Sequence, residues 1–279
     1  MKKIILIICL LLGTTAMFAG GGTLKGSGRI VTETREAKSF NSIKVSNMIH
    51  VTIGNNTDGK IVVKADDNVM PYVKTRFEGL NLVIKIESPY QSLRNINVDV
   101  QLPYSKNIRN LDAHGAAVIL AESPIESYEL DIDASGAGKV KLSNVKVTKM
   151  EVNLSGASEL VIPNLSAKEC EVDLSGASKA SLAGLDSFKF DGDISGASNL
   201  TVKGASASAD IDASGASEMN AGDFIVKNYE VDLSGASRAK INCVGVLSGE
   251  VSSASNLSYV GNPKMNVSTS SAGRISAGK

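Results

Sequence analysis

Apolar and polar residues alternate along the C-terminal part of the chain, and the alternation restarts about every 20 residues. Each restart carries the same short motif. Ser135-Gly-Ala-Gly is followed by Ser-Gly-Ala-Ser beginning at Ser155, Ser175, Ser195, Ser214 and Ser234. The glycines Gly136, Gly156, Gly176, Gly196, Gly215 and Gly235 are spaced by 20, 20, 20, 19 and 20 residues. Gly115 extends the series backward by 21. Ser253 and Ser271 extend it forward by 18 each with the glycine lost, which makes nine copies.

Six residues before the glycine stand Leu130, Met150, Cys170, Phe190, Ala209 and Tyr229. Two before it stand Ala134, Leu154, Leu174, Ile194, Ala213 and Leu233, and the same parity resumes four and six residues after it. The positions between are mostly Asp, Glu, Lys, Ser or Asn. A period of two means strands with one buried face. Short strands cannot each build a core, but stacked coils share one, with neighbouring backbones about 4.8 Å apart. The pattern therefore predicts an all-β chain whose repeats form a parallel β-helix, a solenoid with coils of roughly 20 residues. The general handedness of parallel crossovers makes it right-handed. The glycine suits a tight bend between two faces of a coil.

Upstream of the repeat the pattern is still that of strands. Ile43-Lys-Val45, Ile49-His-Val51-Thr-Ile53, Lys60–Lys64, Leu80–Ile86 and Ile96–Val100 alternate, with a turn at Asn55–Gly59. Residues 20–112 are read as an irregular β-rich N-terminal region, a separate sheet or the first coils capping the solenoid, and residues 113–279 as regular coils. Lys2 and Lys3, the apolar run Ile4–Leu12 and cleavage after Ala19 mark residues 1–19 as a secretory signal peptide. Cys9 lies inside the apolar run after Ile8, which argues against a lipoprotein anchor. No later stretch is apolar enough to span a bilayer.

Composition narrows the chemistry. Formal net charge is zero, which offers nothing to nucleic acid. Aromatics are 4% and Trp is absent, so stacking platforms for sugars are scarce. Three residues before each glycine stand Asp133, Asn153, Asp173, Asp193, Asp212 and Asp232, then Glu250. Stacked carboxylates about 5 Å apart repel by roughly 1 kcal/mol each. Either a cation row relieves this, with calcium the natural ion and Asp173, Asp193, Asp212 and Asp232 its ligands, or solvent, salt and nearby lysines do. One carboxylate per coil makes a poor calcium cage, so no cofactor is expected. Ser155, Ser175, Ser195, Ser214 and Ser234 form a strip of small residues that serves either a partner or merely the bend. His50 and His114 lie far apart with no nucleophile beside them in sequence, and no nucleotide loop or metal-spaced histidine pair occurs. Cys170 and Cys243 both fall on the inward parity more than three coils apart, too far for a disulfide.

The chain resembles the head GIN domain family of putative autotransporter adhesins. The residues that carry the likeness are Phe40-Asn-Ser-Ile-Lys-Val, Val63-Lys-Ala-Asp-Asp-Asn-Val-Met, Glu78-Gly-Leu-Asn-Leu-Val-Ile and the Ser-Gly-Ala-Ser array, across roughly residues 37–260. The resemblance implies a β-helical fold and a cell-surface or periplasmic life, and export leaves the periplasm, the outer-membrane surface or the medium as the address. No catalytic residues carry over, and nothing after Ser271 resembles a translocating barrel. The sequence thus points to an exported, non-enzymatic, adhesin-like protein. Its partner would be a surface glycan or protein, with self-association open. The alternatives are a polysaccharide lyase or hydrolase built on a β-helix, and a structural assembly protein.

Overall fold

The computed structural model describes residues 21–54 and 58–278. The expected signal peptide with Cys9 and Ala19, and Asn55–Thr57 of the expected turn, lie outside the described residues. The protein is 67% strand and 1% helix, and it forms a β-solenoid of about 8 turns with coils of some 20 residues. The only helical element among the described residues is a 3-10 turn at Met70–Tyr72.

The coils stack in register. Leu154 pairs with Leu174 and Leu174 with Ile194, so equivalent side chains form continuous internal columns. Leu130, Met150, Cys170, Phe190, Ala209 and Tyr229 are all buried, as the alternation requires. Gly192 interrupts one column. The Phe190 ring and Ile211 fill its place, since a Cβ there would meet Ile211 at 3.1 Å and Phe190 at 3.4 Å. Phe190 also packs edge-on against Phe224, with ring centroids 5.4 Å apart. Cys170 and Cys243 are free and buried, and burial pushes the Cys170 thiol up to about 12.

The glycine corner sets the register. Gly156, Gly176 and Gly196 have φ of 72°, 74° and 73°, the left-handed region that side chains disfavour. A Cβ on Gly176 would also stand 2.7 Å from the Gly156 carbonyl oxygen of the coil below. That same oxygen accepts a hydrogen bond from the Ala177 N–H at 2.7 Å. Inside the corner the second serine of each motif is buried, and Ser158 Oγ donates to the Ser155 carbonyl at 2.9 Å.

The N-terminal region joins the same ladder, but out of chain order. Ser42–Val45 and His50–Gly54 pair in parallel with Asn110–Gly115 and Val118–Ala121 on one side. On the other side they pair in parallel with Asn81–Ile86 and Val98–Pro103. Asn47 makes the corner of this coil, with φ 73°, and its carbonyl accepts from the Ala116 N–H at 2.8 Å. Asparagine tolerates the left-handed conformation better than most side chains. Beyond this coil, Val73–Glu78 and Lys60–Asp66 switch to antiparallel pairing, and Ile30–Glu36 adds to Lys60–Asp66. Arg35 Nη1 reaches across this end to the Val73 carbonyl at 3.0 Å. The buried Asp66 pins the N-terminal segment by accepting from the N–H groups of Gly28 and Asn97, each at 2.7 Å.

Two substitutions test this packing. Gly176→Ala should destabilise by about 2 kcal/mol or more, because strain and a backbone clash add. Gly28→Ala should cost only about 1 kcal/mol, since φ is +79° but nothing lies within 4 Å of the new methyl. Denaturant titration separates them, and equal losses would remove the stacking argument. The Tyr229 hydroxyl is buried and meets no hydrogen-bonding partner. Tyr229→Phe should therefore leave stability unchanged or raise it by up to about 1 kcal/mol, and a clear loss by the same measurement would show a missed partner.

Candidate functional site

Coil register converts the sequence motif into rows on one outward face. Asp112, Asp133, Asn153, Asp173, Asp193, Asp212, Asp232 and Glu250 pair successively from coil to coil. Two residues along each strand, on the same face, runs the serine row beside the corner. The space between the rows forms two grooves of about 540 and 270 Å³ that meet at Asp193 and Ser195. Asp173, Asp193, Ser155, Ser175 and Ser195 line the larger section, and Asp212, Asp232, Ser214 and Ser234 line the smaller. Asp193 and Ser195 belong to both. The aspartate row and the serine strip, read from the sequence as separate features, are thus the walls of the same grooves.

A second acidic row lies alongside. Asp131, Glu151, Glu171, Asp191, Asp210 and Glu230 pair in register two residues earlier on each strand. Sequence reading missed it, although the same parity that marked Asp173 marks Glu171. Glu171, Asp173, Asp191, Asp193, Asp210 and Asp212 surround a depression of about 100 Å³. They stand at strand spacing, and among the described residues no three His, Cys, Asp or Glu side chains converge closely enough to hold a metal ion.

Counter-charges sit at the margins. Lys44 approaches Asp112 at 3.4 Å, Lys149 approaches Glu151 at 3.7 Å, and Lys189 pairs with Asp191. Among the described residues no cation lies within ion-pair distance of Asp133, Asp173, Asp193, Asp212 or Asp232, so lysines do not neutralise the row that the sequence singled out. Desolvation first, and then the Asp193 charge, raise the Asp173 carboxyl above its usual range. Desolvation followed by Asp112 raises Asp133, and desolvation followed by Asp193 raises Asp212. Asp131 and Asp210 are raised in the same way.

The groove is rich in acceptors. Ser175 Oγ donates to the Leu154 carbonyl at 3.4 Å and Ser195 Oγ to the Leu174 carbonyl at 3.2 Å. With their protons engaged on the backbone, these hydroxyls offer lone pairs to the groove beside the carboxylates.

At the N-terminal end of the groove the fold brings His114 Nδ1 within 2.7 Å of Ser135 Oγ, a pairing invisible in the linear spacing. The nearby N–H groups of Ala137 and Gly138 already donate to the carbonyls of Gly115 and Ser135, leaving neither for an oxyanion. His50 lies apart, 3.5 Å from Asp99.

The raised carboxyls give stability a pH signature. A group whose folded pKa is raised holds its proton more tightly in the folded state, so ionisation weakens folding. That cost is present at neutral pH and disappears as pH falls through the raised values towards the ordinary carboxylate range near 4. Asp67 and Glu87, half-buried and held low by hydrogen bonds to Ser27 and Lys85, act oppositely but only below that range. The melting temperature should therefore rise on acidification from pH 7 before it falls. Asp173→Asn with Asp212→Asn should raise it at pH 7 and flatten the profile, and a monotonic fall in the wild type would refute the electrostatic account.

Comparison with known proteins agrees with this architecture. The profile of the family described as putative auto-transporter adhesin, head GIN domain, matches residues 39–164 and again 151–263. No curated protein matches the sequence. Among solved structures, a putative adhesin from Parabacteroides merdae ATCC 43184 is 21% identical with a TM-score of 0.67, over 92% of this chain and 99% of that one. A putative adhesin from Parabacteroides distasonis ATCC 8503 is 20% identical with a TM-score of 0.66, over 92% and 100%. A putative lipid binding protein from the same strain is 18% identical with a TM-score of 0.70, over 92% and 100%. At these identities the structures testify to the fold alone. The two profile matches overlap and together run through the ladder from Ser42–Val45 to the late coils, and the chain belongs to the head GIN domain family of putative auto-transporter adhesins.

Proposed function

We propose that the chain is an exported, non-enzymatic binding protein of the adhesin type that holds an extended ligand along the groove between the aspartate and serine rows. The observation that carries this reading is the run of the two side-chain rows: the same rows line both grooves from Asp112 to Ser252. A repeated wall suits a ligand that is itself a repeat. Its acceptor character favours a partner rich in hydrogen-bond donors, such as the hydroxyls of a neutral glycan or the amino groups of a basic peptide.

The competing reading is a lyase or hydrolase acting on acidic polysaccharide. Such a substrate would meet uncompensated carboxylates at Asp173, Asp193, Asp212 and Asp232, with Lys44 and His114 as counter-charges at the N-terminal end. Its carboxylates would be repelled along the groove, whereas a neutral or basic chain would not. The leader pattern read from residues 1–19 and the family support export.

Purified residues 20–279 on an array of neutral and acidic glycans and basic peptides provide the test. Binding should concentrate on neutral or basic extended ligands. Asp173→Ala with Asp193→Ala should weaken it at least about tenfold, the loss expected for two charge-assisted hydrogen bonds. Undiminished binding by that variant would remove the groove from the function. Shortening of an acidic polysaccharide by the wild type would overturn the non-enzymatic reading.

A further inference from the structure

At the C-terminal end of the described solenoid two strands are paired on one side only. Lys264–Thr269 pairs with Arg238–Val251, and Arg274–Ala277 pairs with Asn256–Val260. Among the described residues no strand lies on the far side of either, so a row of backbone N–H and C=O groups points out of this end unpaired. The core surfaces with them. Met265 stacks on Leu247 and Ile275 on Leu257, yet Met265 is 41% exposed where Leu247 is fully buried. Tyr259, Val267 and Ile275 are only partly buried. The N-terminal end does not repeat this template. There antiparallel Lys60–Asp66 and Val73–Glu78 break the coil order, and Arg35 reaches across to the Val73 carbonyl.

This open coil is complementary to itself. One strand runs into the corner at Ser271 and the other runs away from it. A twofold axis through that corner, perpendicular to the solenoid, therefore lays Lys264–Thr269 of one copy antiparallel on Arg274–Ala277 of a second, and symmetry forms the same pair again. Keeping inward side chains inward sets Val267 against Ile275 of the second copy and Met265 against its Ala277, so the exposed core residues cover one another. Charge agrees with this register. It sets Arg274 of the second copy beside Ser268, the residue stacked on Glu250. Glu250 ends the acidic row, and beyond it the sequence holds basic residues and no acid. Among the described residues neither Glu250 nor Arg274 has an ion-pair partner. Successive strands lie about 4.8 Å apart, so a guanidinium reaches that carboxylate across the one intervening strand. The arginine of each copy thus caps the acidic row of the other.

We propose that two copies of the chain join tail to tail through this coil as a twofold dimer. The proposal is independent of what the groove binds. Sedimentation velocity on residues 20–279 across a concentration series tests it. A monomer–dimer equilibrium is expected with no larger species, because the twofold uses both free edges. Arg274→Glu should weaken the dimer at least about tenfold, since like charges then meet at Glu250 twice in each interface. Glu250→Arg should weaken it likewise, and the two substitutions together should restore it. Both side chains are exposed, so these variants should keep the wild-type strand signal in circular dichroism. Val267→Ser should also weaken the dimer, because apolar contact is lost. Asp173→Ala with Asp193→Ala should dimerise as the wild type does, which separates this end from the groove. A monomer at every concentration, a dimer untouched by Arg274→Glu, or species that grow without limit would overturn the proposal. So would a charge-swapped double variant that stays monomeric.

Discussion

The structure depends on one backbone contact repeated up the solenoid: the N–H after each corner glycine donates to the carbonyl of the glycine one coil below. At Ala157, Ala177, Ala197, Ala216 and Ala236 the distance is 2.6 or 2.7 Å. The contact is shortest where no Cβ stands between the coils, because glycine adopts the left-handed turn without strain, and it persists at 2.8 Å from Ala254 to Gly235 where Ser253 takes the corner. It is also a register lock. A slip of one residue would turn every inward side chain outward, and the corner forbids the slip. At Ala272, above Ser253 with φ 58°, the bond lengthens to 2.9 Å, so the lock loosens where glycine is lost.

The lock dictates the electrostatics. Once equivalent residues must lie over one another, an acid at a fixed place in the motif becomes a row of acids. No side-chain choice within that row restores spacing, since each coil adds another charge about 4.8 Å away. The raised carboxyls of Asp133, Asp173 and Asp212 record this cost. Uncharged Asn153 shows that the fold accepts a neutral residue in the row. The neighbouring carboxylates are therefore not required by the coil.

Much of this was legible in the sequence, and the limits are physical. The glycine spacing and the inward columns were readable because one corner geometry admits one residue type. Asn47 escaped because asparagine reaches the same conformation without a Gly-Ala signature, which hid the first coil of the ladder. The insertion of Ser42–Gly54 between the coils of Asn81–Pro103 and Asn110–Ala121 was unreadable, since alternation reports which face is buried and not which strand lies beside it. For the site, Asp173 and Ser175 were each visible, but their union as opposite walls needed the strand geometry between them. The pairing of His114 with Ser135 needed the coil-to-coil register.

The same register explains why surface features of different character coexist on so uniform a scaffold. A solenoid has no pocket enclosed by converging loops, so affinity must come from rows, and a row can be only as varied as the motif permits. Near the corner the motif is nearly invariant, and the groove beside it presents one chemistry throughout. Half a coil away the bulges at Leu182–Leu185 and Thr201–Gly204 relax the constraint. There the outward residues differ from coil to coil, and Phe188, Ile225 and Val244 surface among charges of both signs. Uniformity close to the lock and divergence far from it are one consequence of anchoring each coil at a single point.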